Sequence, residues 1–532
     1  RIGLDFDNTI ANYDLAFSKV AELLEIKTTA TTKSEVKRDL LSRENGDFLW
    51  QKVQGLTYGT YIHLAELYSG LLEFVFRARS LGHQLFIVSH KTEFGHFDES
   101  RVPLRTAALN WLQTKLVVGK LPAQIKPHEV YFCQTQDEKI LKINELNLDV
   151  FIDDLEEIVN NQFLSSAMRR ILFSSNSEVN SDHESHFSWR EISQVTLGNI
   201  SADQISFVLK NVWTDLDIKT VEEVAGGGNS KIFKVITRDC DFALKIYPDL
   251  AFDVRPRRTN EWLALSLTNA AKMQTPKPFA TNEDLNWSLI EWFDGGEANC
   301  ADKGRLIQAV DFIRALTEVS RTSRTNTAIG LATEACLKPS DVERQIHNRL
   351  EYFRGVDDSG LQKFLEQVLV PMFYDSVKDA HCLLDDGYES QLSSGLWTLS
   401  PSDFGLHNSI ITSTNDVVFY DFEYFGWDDP VKVTADFCLH PAMRLDLSSQ
   451  RYWVGEMKAL FAHDVKFELR LKALAPLYAI RWALIVLNEF RSDKLKNRLH
   501  AQSTIQLDIQ KKQVEQLEKA KLMIANLDRS VF

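Results

Sequence analysis

Ile2-Gly3-Leu4-Asp5-Phe6-Asp7-Asn8-Thr9 is a short apolar run that breaks into acid. Ile2 to Leu4 has the texture of a buried strand, and the strand ends where Asp5 begins. In extended backbone successive side chains alternate, so Asp5 and Asp7 share a side. Further apolar runs repeat the pattern downstream. Leu81 to Ser89 (LGHQLFIVS) ends on a hydroxyl, and Val130-Tyr131-Phe132 follows. Asp149-Val150-Phe151-Ile152 runs into Asp153-Asp154, and Ile171-Leu172-Phe173 is a fifth run. Helical patterns, such as Leu104 to Leu116 and Glu138 to Leu146, separate most of them. Strands alternating with helices predict an α/β fold with a parallel, doubly wound sheet. Ligands on such sheets sit at the carboxyl ends of the strands, where these polar residues fall.

The polar residues have complementary chemistry. One carboxylate of the Asp5/Asp7 pair can attack phosphorus while the other handles a proton. Thr9 and Ser89 offer hydroxyls to phosphate oxygens, and Lys139 offers a balancing charge. Asp153 and Asp154 complete an oxygen-rich cluster suited to Mg2+. Carboxylates alone repel a phosphate; a metal and a lysine together remove that objection. Taken singly each feature is weak. Strand-end acids often cap turns or helices, and a lone serine or lysine is usually surface chemistry. The reading rests on four elements in order, each at a strand end or a nearby helix start.

Residues 1 to about 195 resemble the haloacid dehalogenase superfamily of phosphatases, on Asp5-Phe6-Asp7-Asn8-Thr9, Ser89, Lys139 and Asp153-Asp154. The resemblance implies Asp5 as the nucleophile, forming an aspartyl-phosphate. It implies Asp7 as general acid, then as base for the hydrolytic water. Asp at this second position implies phosphatase rather than dehalogenase chemistry. Asp5, Asp7, Asp153 and Asp154 are the expected Mg2+ set, with the direct ligand of the 153–154 pair left open. Lys142, one helical turn beyond Lys139, is the alternate motif lysine. The excess sequence at about 12–75 reads as a small helical cap. Its segment Trp50 to Gly59 suits either a polar substrate such as a sugar or plain packing. His90 and Lys91 face either substrate or solvent.

The texture changes after the polar loop at 174–188 and a linker or helix at 196–215. Val221 to Val235 (VEEVAGGGNSKIFKV) reads as strand, glycine turn, strand. Gly226, Gly227, Gly228 and Asn229 would let backbone N–H groups approach phosphates closely, although hairpins use such turns constantly. Lys245 lies inside the apolar strand Phe242 to Tyr247 and needs a partner, which Glu261 on a following helix can supply. Farther on, Ser400-Pro401-Ser402-Asp403-Phe404-Gly405-Leu406-His407-Asn408 is followed by Val417 to Tyr420 and Asp421-Phe422-Glu423. An Asp, an Asn five residues on, and an Asp after the next strand form the phosphotransfer set of kinases.

This part, about 216–532, resembles the aminoglycoside phosphotransferase and choline kinase family, which has a protein-kinase-like α+β bilobal fold. The lobes are expected at about 216–298 and 299–532. The resemblance implies Asp403 as the base for the acceptor hydroxyl, and Asn408 and Asp421 as Mg2+ ligands. It implies Lys245 and Glu261 as phosphate-positioning residues. Ser288 to Phe293, including Glu291, resembles the hinge strand that holds adenine. One departure stands out: Pro401 replaces the histidine the family usually carries two residues before its catalytic Asp. Glu423, Trp427, Asp428 and Asp429 either shape an acceptor pocket or cap a helix.

The expectation is therefore a bifunctional enzyme using Mg2+ and ATP on a phosphate ester and a hydroxyl acceptor, with a sugar or polyol as the favoured chemistry. The alternatives are a kinase with a regulatory or repair phosphatase, and a nucleotide-binding sensor with a degenerate site. The chain has 532 residues, enough for several domains, and a net charge of −14 that disfavours a nucleic-acid binder. No run of about 18 apolar residues is evident, so no membrane span is expected. The start lacks a signal-peptide pattern. Six scattered cysteines without a C-x-x-C pair fit free thiols in a cytoplasmic protein. The tail at 503–529 has helical spacing and serves either as a helix docked on its own domain or as a coiled-coil seam for oligomers.

Overall fold

The computed structural model describes residues 1–174, 184–224, 230–297, 302–491 and 506–532. The chain separates into two compact units, 1–254 with 280–290, and 255–279 with 291–532. The fold classes observed are a parallel α/β sheet with a small helical cap, and an α+β region.

The parallel sheet contains β1 (Ile2–Leu4), β2 (Leu85–His90), β3 (Val130–Cys133), β4 (Val150–Asp153), β5 (Arg169–Phe173) and β6 (Ser185–His186). Their spatial order is β3-β2-β1-β4-β5-β6. Leu4 pairs in register with Ile87 on one side and Ile152 on the other. The two-residue alternation divides the side chains between two apolar layers. Leu4, Leu85, Ile87 and Ile152 enter one cluster; Phe86, Val88 and Phe151 enter the other. Both faces are covered, as a parallel sheet requires. Gly3 is set by space: a Cβ there would fall 2.3 Å from Leu148 Cδ1. The strand β6 lies within the stretch read as loop, because two residues are too short to show a period.

The cap comprises helices Asp14–Leu23, Lys33–Leu41 and Gly46–Tyr58, the second opened by a Thr32/Glu35 capping box. Short strands Ala11–Asn12 and Glu66–Leu67 pair where this insertion leaves and returns. Phe17 stacks on Trp50 at 5.1 Å and meets Tyr58 edge-on. Packing therefore accounts for Trp50. Tyr58 does two jobs, since it also borders the charged groups described below.

Helix Ala202–Val212 starts in a Ser201/Gln204 capping box and buries Ile205, Val208 and Leu209. It packs between helix Leu71–Ser80 and strand β7 (Ile218–Val224). Strand β7 opens a second sheet with β8 (Lys231–Thr237), β9 (Asp241–Ile246), β10 (Pro278–Asn282) and β11 (Trp287–Glu291), ordered β10-β11-β9-β8-β7. Phe233, Val235, Leu244 and Trp287 join the apolar cluster that contains Leu4 and Ile87. The first unit thus has one continuous core running under both sheets.

The second unit is mainly helical, with short strands Thr398–Ser400, Ser409–Ile411, Val417–Phe419 and Gly426–Asp428 setting its loops. Its spine is Phe467–Val486, on which helices Pro339–Glu351, Val370–Leu384, Pro430–Leu439 and Gln506–Ala525 pack. The segment Phe467–Phe490 is long and apolar enough to cross a membrane by length and composition, a property the sequence reading missed because Arg470, Lys472 and Arg481 interrupt it. Its apolar window is 83% buried inside the protein, which suits a core helix. The C-terminal helix docks on its own unit through Leu517 and Ala520. The five cysteines among the described residues are free.

Candidate active sites

Asp5 sits one residue beyond β1, its N–H donating to the Ile152 carbonyl of the neighbouring strand. Lys139 reaches it from helix Gln136–Glu145, which Thr135 caps. The buried ammonium lies 2.7 Å from Asp5 Oδ1 and 2.6 Å from Asp153 Oδ2. Burial alone would lower the Lys139 pKa, but Asp5 and Asp153 reverse the sign and hold it charged. Lys142 pairs instead with Glu145. Of the two lysines left open by the sequence, Lys139 is the one brought to the carboxylates.

The oxygens of Asp5, Asp153 and Asp154 lie within 4.8 Å of one another. Burial first, and then the charge of Asp5, pushes Asp153 up to about 8 and Asp154 up to about 7. Three hard carboxylates with one lysine leave an excess of negative charge, and Mg2+ fits that donor set. Asn8 donates to Asp154 Oδ2 at 3.1 Å, and Thr9 to Asp154 Oδ1 at 3.4 Å. Asn8 adopts φ 57°, a left-handed turn that Asn tolerates and that bends the motif loop over the sheet edge. The fully buried Trp189 donates from Nε1 to the Thr9 carbonyl and fixes the same loop. Ser89 is buried at the end of β2, on the strand beside β1.

The Asp7 side chain is held apart from that cluster. Lys91 Nζ donates to both its oxygens, at 2.9 and 2.8 Å, and the Tyr13 hydroxyl donates at 2.7 Å. Lys91 is therefore a buried partner of Asp7 and not a solvated loop lysine. Sequence reasoning missed Lys33, whose ammonium contacts Asn8 Oδ1 at 3.0 Å and lies over the Phe17 and Tyr58 rings. Nothing in the local pattern of the cap marked it; its position depends on how the cap helices return to the sheet.

In the first unit's second sheet, Lys245 is buried in β9 with its ammonium over the Tyr247 ring. Gly226, Gly227, Gly228 and Asn229 lie outside the described residues. In the second unit, Glu261 is buried on helix Arg257–Ala270 and accepts from the Phe422 N–H at 3.3 Å. The Glu291 N–H donates to the Lys277 carbonyl, and its carboxylate accepts from the Lys277 N–H.

Asp403 follows strand Thr398–Ser400 through a turn in which Ser402 has φ 66°. The Ser402 hydroxyl donates to the Thr333 carbonyl and accepts from Lys432 Nζ at 2.8 Å. Asn408 Nδ2 donates to the Asp403 carbonyl at 2.9 Å, which leaves its Oδ1 for another partner. The hairpin of Ser409–Ile411 with Val417–Phe419 then returns the chain, and the Tyr420 N–H donates to the Asn408 carbonyl. Asp421 follows with φ 68°. Asp403, Asn408 and Asp421 are thus brought onto one pair of linked loops. The amide oxygen of Asn408 and the carboxylate of Asp421 are hard donors that fit Mg2+. Oxygens of Glu261, Asp421 and Glu423 also lie within 4.8 Å, and Glu423 pairs with Arg257.

Asp428 and Asp429 are fully engaged in structure. Asp429 caps helix Pro430–Leu439 and binds Arg470; Asp428 accepts from the Cys336 and Asp429 N–H groups. Lys432 is buried between Asp428 Oδ2 at 3.1 Å and Asp436 Oδ2 at 3.6 Å. Removing one partner of such a cluster leaves uncompensated buried charge. Lys432→Met is expected to lower stability by about 3–5 kcal/mol in urea denaturation. A variant as stable as wild type would contradict that role.

No protein-family profile and no curated protein matches the chain. Solved structures do resemble its C-terminal part. A spectinomycin phosphotransferase, in complex with ADP and spectinomycin, is 11% identical with a TM-score of 0.43, covering 61% of this chain and 98% of its own. A gentamicin-bound aminoglycoside phosphotransferase is 14% identical with a TM-score of 0.40, over 63% of this chain and 99% of its own. A Plasmodium vivax ethanolamine kinase is 12% identical with a TM-score of 0.41, over 62% and 92%. At these identities and scores the likeness assigns no activity to the chain.

Proposed function

We propose that the chain is a bifunctional Mg2+-dependent enzyme, combining an aspartyl-phosphate phosphatase (about 1–195) with an ATP-dependent small-molecule kinase (about 216–532). The observation that carries the reading is the Lys139 bridge between Asp5 and Asp153 at the carboxyl edge of a parallel sheet. A buried lysine between two carboxylates, beside a third, is what a nucleophilic carboxylate needs to meet a phosphate dianion.

In the phosphatase reaction Asp5 attacks phosphorus and Asp7 protonates the departing alkoxide. Water, deprotonated by Asp7, then releases phosphate from Asp5. Thr9 and Ser89 hold phosphate oxygens, and Lys139 balances the charge. Asp5, Asp153 and Asp154 would hold Mg2+, which supplies further neutralisation of the phosphate. Lys91 and Tyr13 stabilise the Asp7 carboxylate in the covalent intermediate, after its proton has gone to the alkoxide and before it takes one from water.

In the kinase reaction Asp403 accepts the acceptor's hydroxyl proton. Asn408 and Asp421 would hold Mg2+. Lys245 and Glu261 position the nucleotide phosphates, Gly226 to Asn229 cover them, and the strand around Glu291 receives adenine. The favoured substrates are phosphorylated sugars or polyols. A kinase and a phosphatase acting on one position would only consume ATP, so the two sites act at different positions or on different substrates. We propose that they act at different positions of one metabolite and relocate its phosphate; two activities on separate substrates are the rival. The test is to measure Mg2+-dependent ATP turnover, and phosphate release from a panel of sugar and polyol phosphates, on one preparation. Absence of both activities favours the nucleotide-binding sensor and rejects the enzyme.

A second check needs no substrate. Mg2+ without nucleotide is expected to raise the Tm by a few degrees, because it binds only the folded carboxylate cluster. Asp153→Asn should lose most of that rise. A wild-type Tm that Mg2+ leaves unmoved would contradict the first metal site.

A further inference from the structure

Two histidines converge on the proposed base: His407, which lies in the stretch quoted for Asp403 but was given no role there, and His440, which lies outside it. His407 Nε2 lies 3.2 Å from Asp403 Oδ1, and His440 Nε2 lies 3.5 Å from the same oxygen. Their rings are stacked with centroids 3.8 Å apart and planes only 6° apart. His440 stands at the end of helix Pro430–Leu439, and the Trp482 ring meets it edge-on at 4.5 Å. Its Nδ1 accepts the Ala442 N–H at 3.2 Å, which places the ring proton on Nε2, facing Asp403. Burial pulls its pKa down to about 3, so the ring stays neutral beside its neighbour.

His407 reaches its place because Gly405 lacks a side chain. A Cβ on Gly405 would fall 2.5 Å from His407 Nδ1 and 2.6 Å from Cε1. The Gly405 φ of 175° is ordinary extended backbone, so the need is for space and not for conformation. The glycine in Ser402-Asp403-Phe404-Gly405-Leu406-His407 thus has a defined purpose.

Two histidines and a carboxylate also suggest a transition metal. The stacking argues against one. A histidine lone pair lies in its ring plane, and a bound ion sits about 2.0–2.1 Å from the nitrogen. Lone pairs of two parallel, face-to-face rings run side by side and do not meet at one ion. What the stack does provide is one hydrogen bond to Asp403 Oδ1, from His407 at 3.2 Å, with His440 packed behind that ring and 3.5 Å from the same oxygen.

We propose that the stacked His407–His440 pair clamps the Asp403 carboxylate, taking the place of the histidine that Pro401 replaces. This rests on the reading of Asp403 as base. Both histidine contacts fall on Oδ1, which makes Oδ2 the atom offered to the acceptor proton. The two histidines are positioning residues: they touch the base and not the substrate.

The test uses the full chain with Mg-ATP and water as acceptor, following phosphate release, and calorimetry for Mg-ATP affinity. His407→Phe and Gly405→Ala are each expected to lower kcat by about 10- to 100-fold with the KM for ATP and the affinity within two-fold. His407→Gln, which keeps an N–H donor, should recover most of kcat. Variants that keep kcat within two-fold while Asp403→Asn is inactive would overturn the clamp alone. Wild-type turnover by Asp403→Asn would overturn the base reading, and the clamp with it. Nitrogen NMR of the wild-type histidine rings gives a check independent of any variant's folding. It should find both rings protonated at Nε2; an Nδ1-protonated ring at either position would overturn the proposal.

Discussion

Asp5→Asn protein is expected to hydrolyse phosphate esters on the order of 10^4-fold more slowly than wild type, or worse, with Mg-ATP turnover within two-fold of normal. The amide matches the carboxylate in shape but is no nucleophile, so no covalent phosphate forms. The fold should survive the change. Lys139 keeps its contact with Asp153 at 2.6 Å, and Asp153 and Asp154 each lose a repulsive neighbour. The proposed transfer residues Lys245 and Asp403 lie outside the parallel sheet and its cap. Normal hydrolysis of a good phosphate ester by purified Asp5→Asn protein would remove Asp5 from the reaction.

The second large effect should separate two carboxylates that sequence alone treats as one set. Asp403→Asn and Asp421→Asn should both lose phosphoryl transfer, the first by about 10^2- to 10^4-fold, as loss of a general base implies. Asp403→Asn should nevertheless bind Mg-ATP like wild type. The two histidines meet its carboxylate on one oxygen, and in the proposed reaction the other faces the acceptor and not the metal. Asp421→Asn should weaken the Mg-ATP complex at least about tenfold, because a neutral amide is a poorer ligand for a hard cation. Equal ATP affinities for the two variants in calorimetry would contradict this division.

Much of the first site was legible because its parts sit at strand ends, and strand ends show as apolar runs breaking into polar residues. Asp5, Ser89 and Asp153 follow from that texture. Lys139 against Lys142 did not, since both occupy one helix and only the packed orientation separates them. Tyr13, Lys33 and Lys91 gather around Asp7 and Asn8 through the cap's tertiary path, which leaves no periodic trace. His440 is farther still from Asp403 in the chain, and nothing in its surroundings pointed to that carboxylate. The core helix Phe467–Val486 hid its hydrophobicity behind Arg470 and Arg481, which Asp429 and Asp436 neutralise. A sequence scan sees the charges and not their partners. The shared core under the two sheets of the first unit was equally invisible, because helix Ala202–Val212 has the same amphipathic pattern whether it links two bodies or is buried between them.

The central claim is that one chain adds phosphate at one position of a metabolite and removes it from another. The most direct measurement is to give wild-type and Asp5→Asn protein a panel of sugar and polyol monophosphates with Mg-ATP, and to follow the products by mass spectrometry. The account predicts that Asp5→Asn accumulates a bisphosphate from one of these substrates, while wild type converts it to a monophosphate isomeric with the starting material. No bisphosphate from any member of the panel, together with ATP-dependent phosphorylation of a non-phosphorylated alcohol, would contradict it.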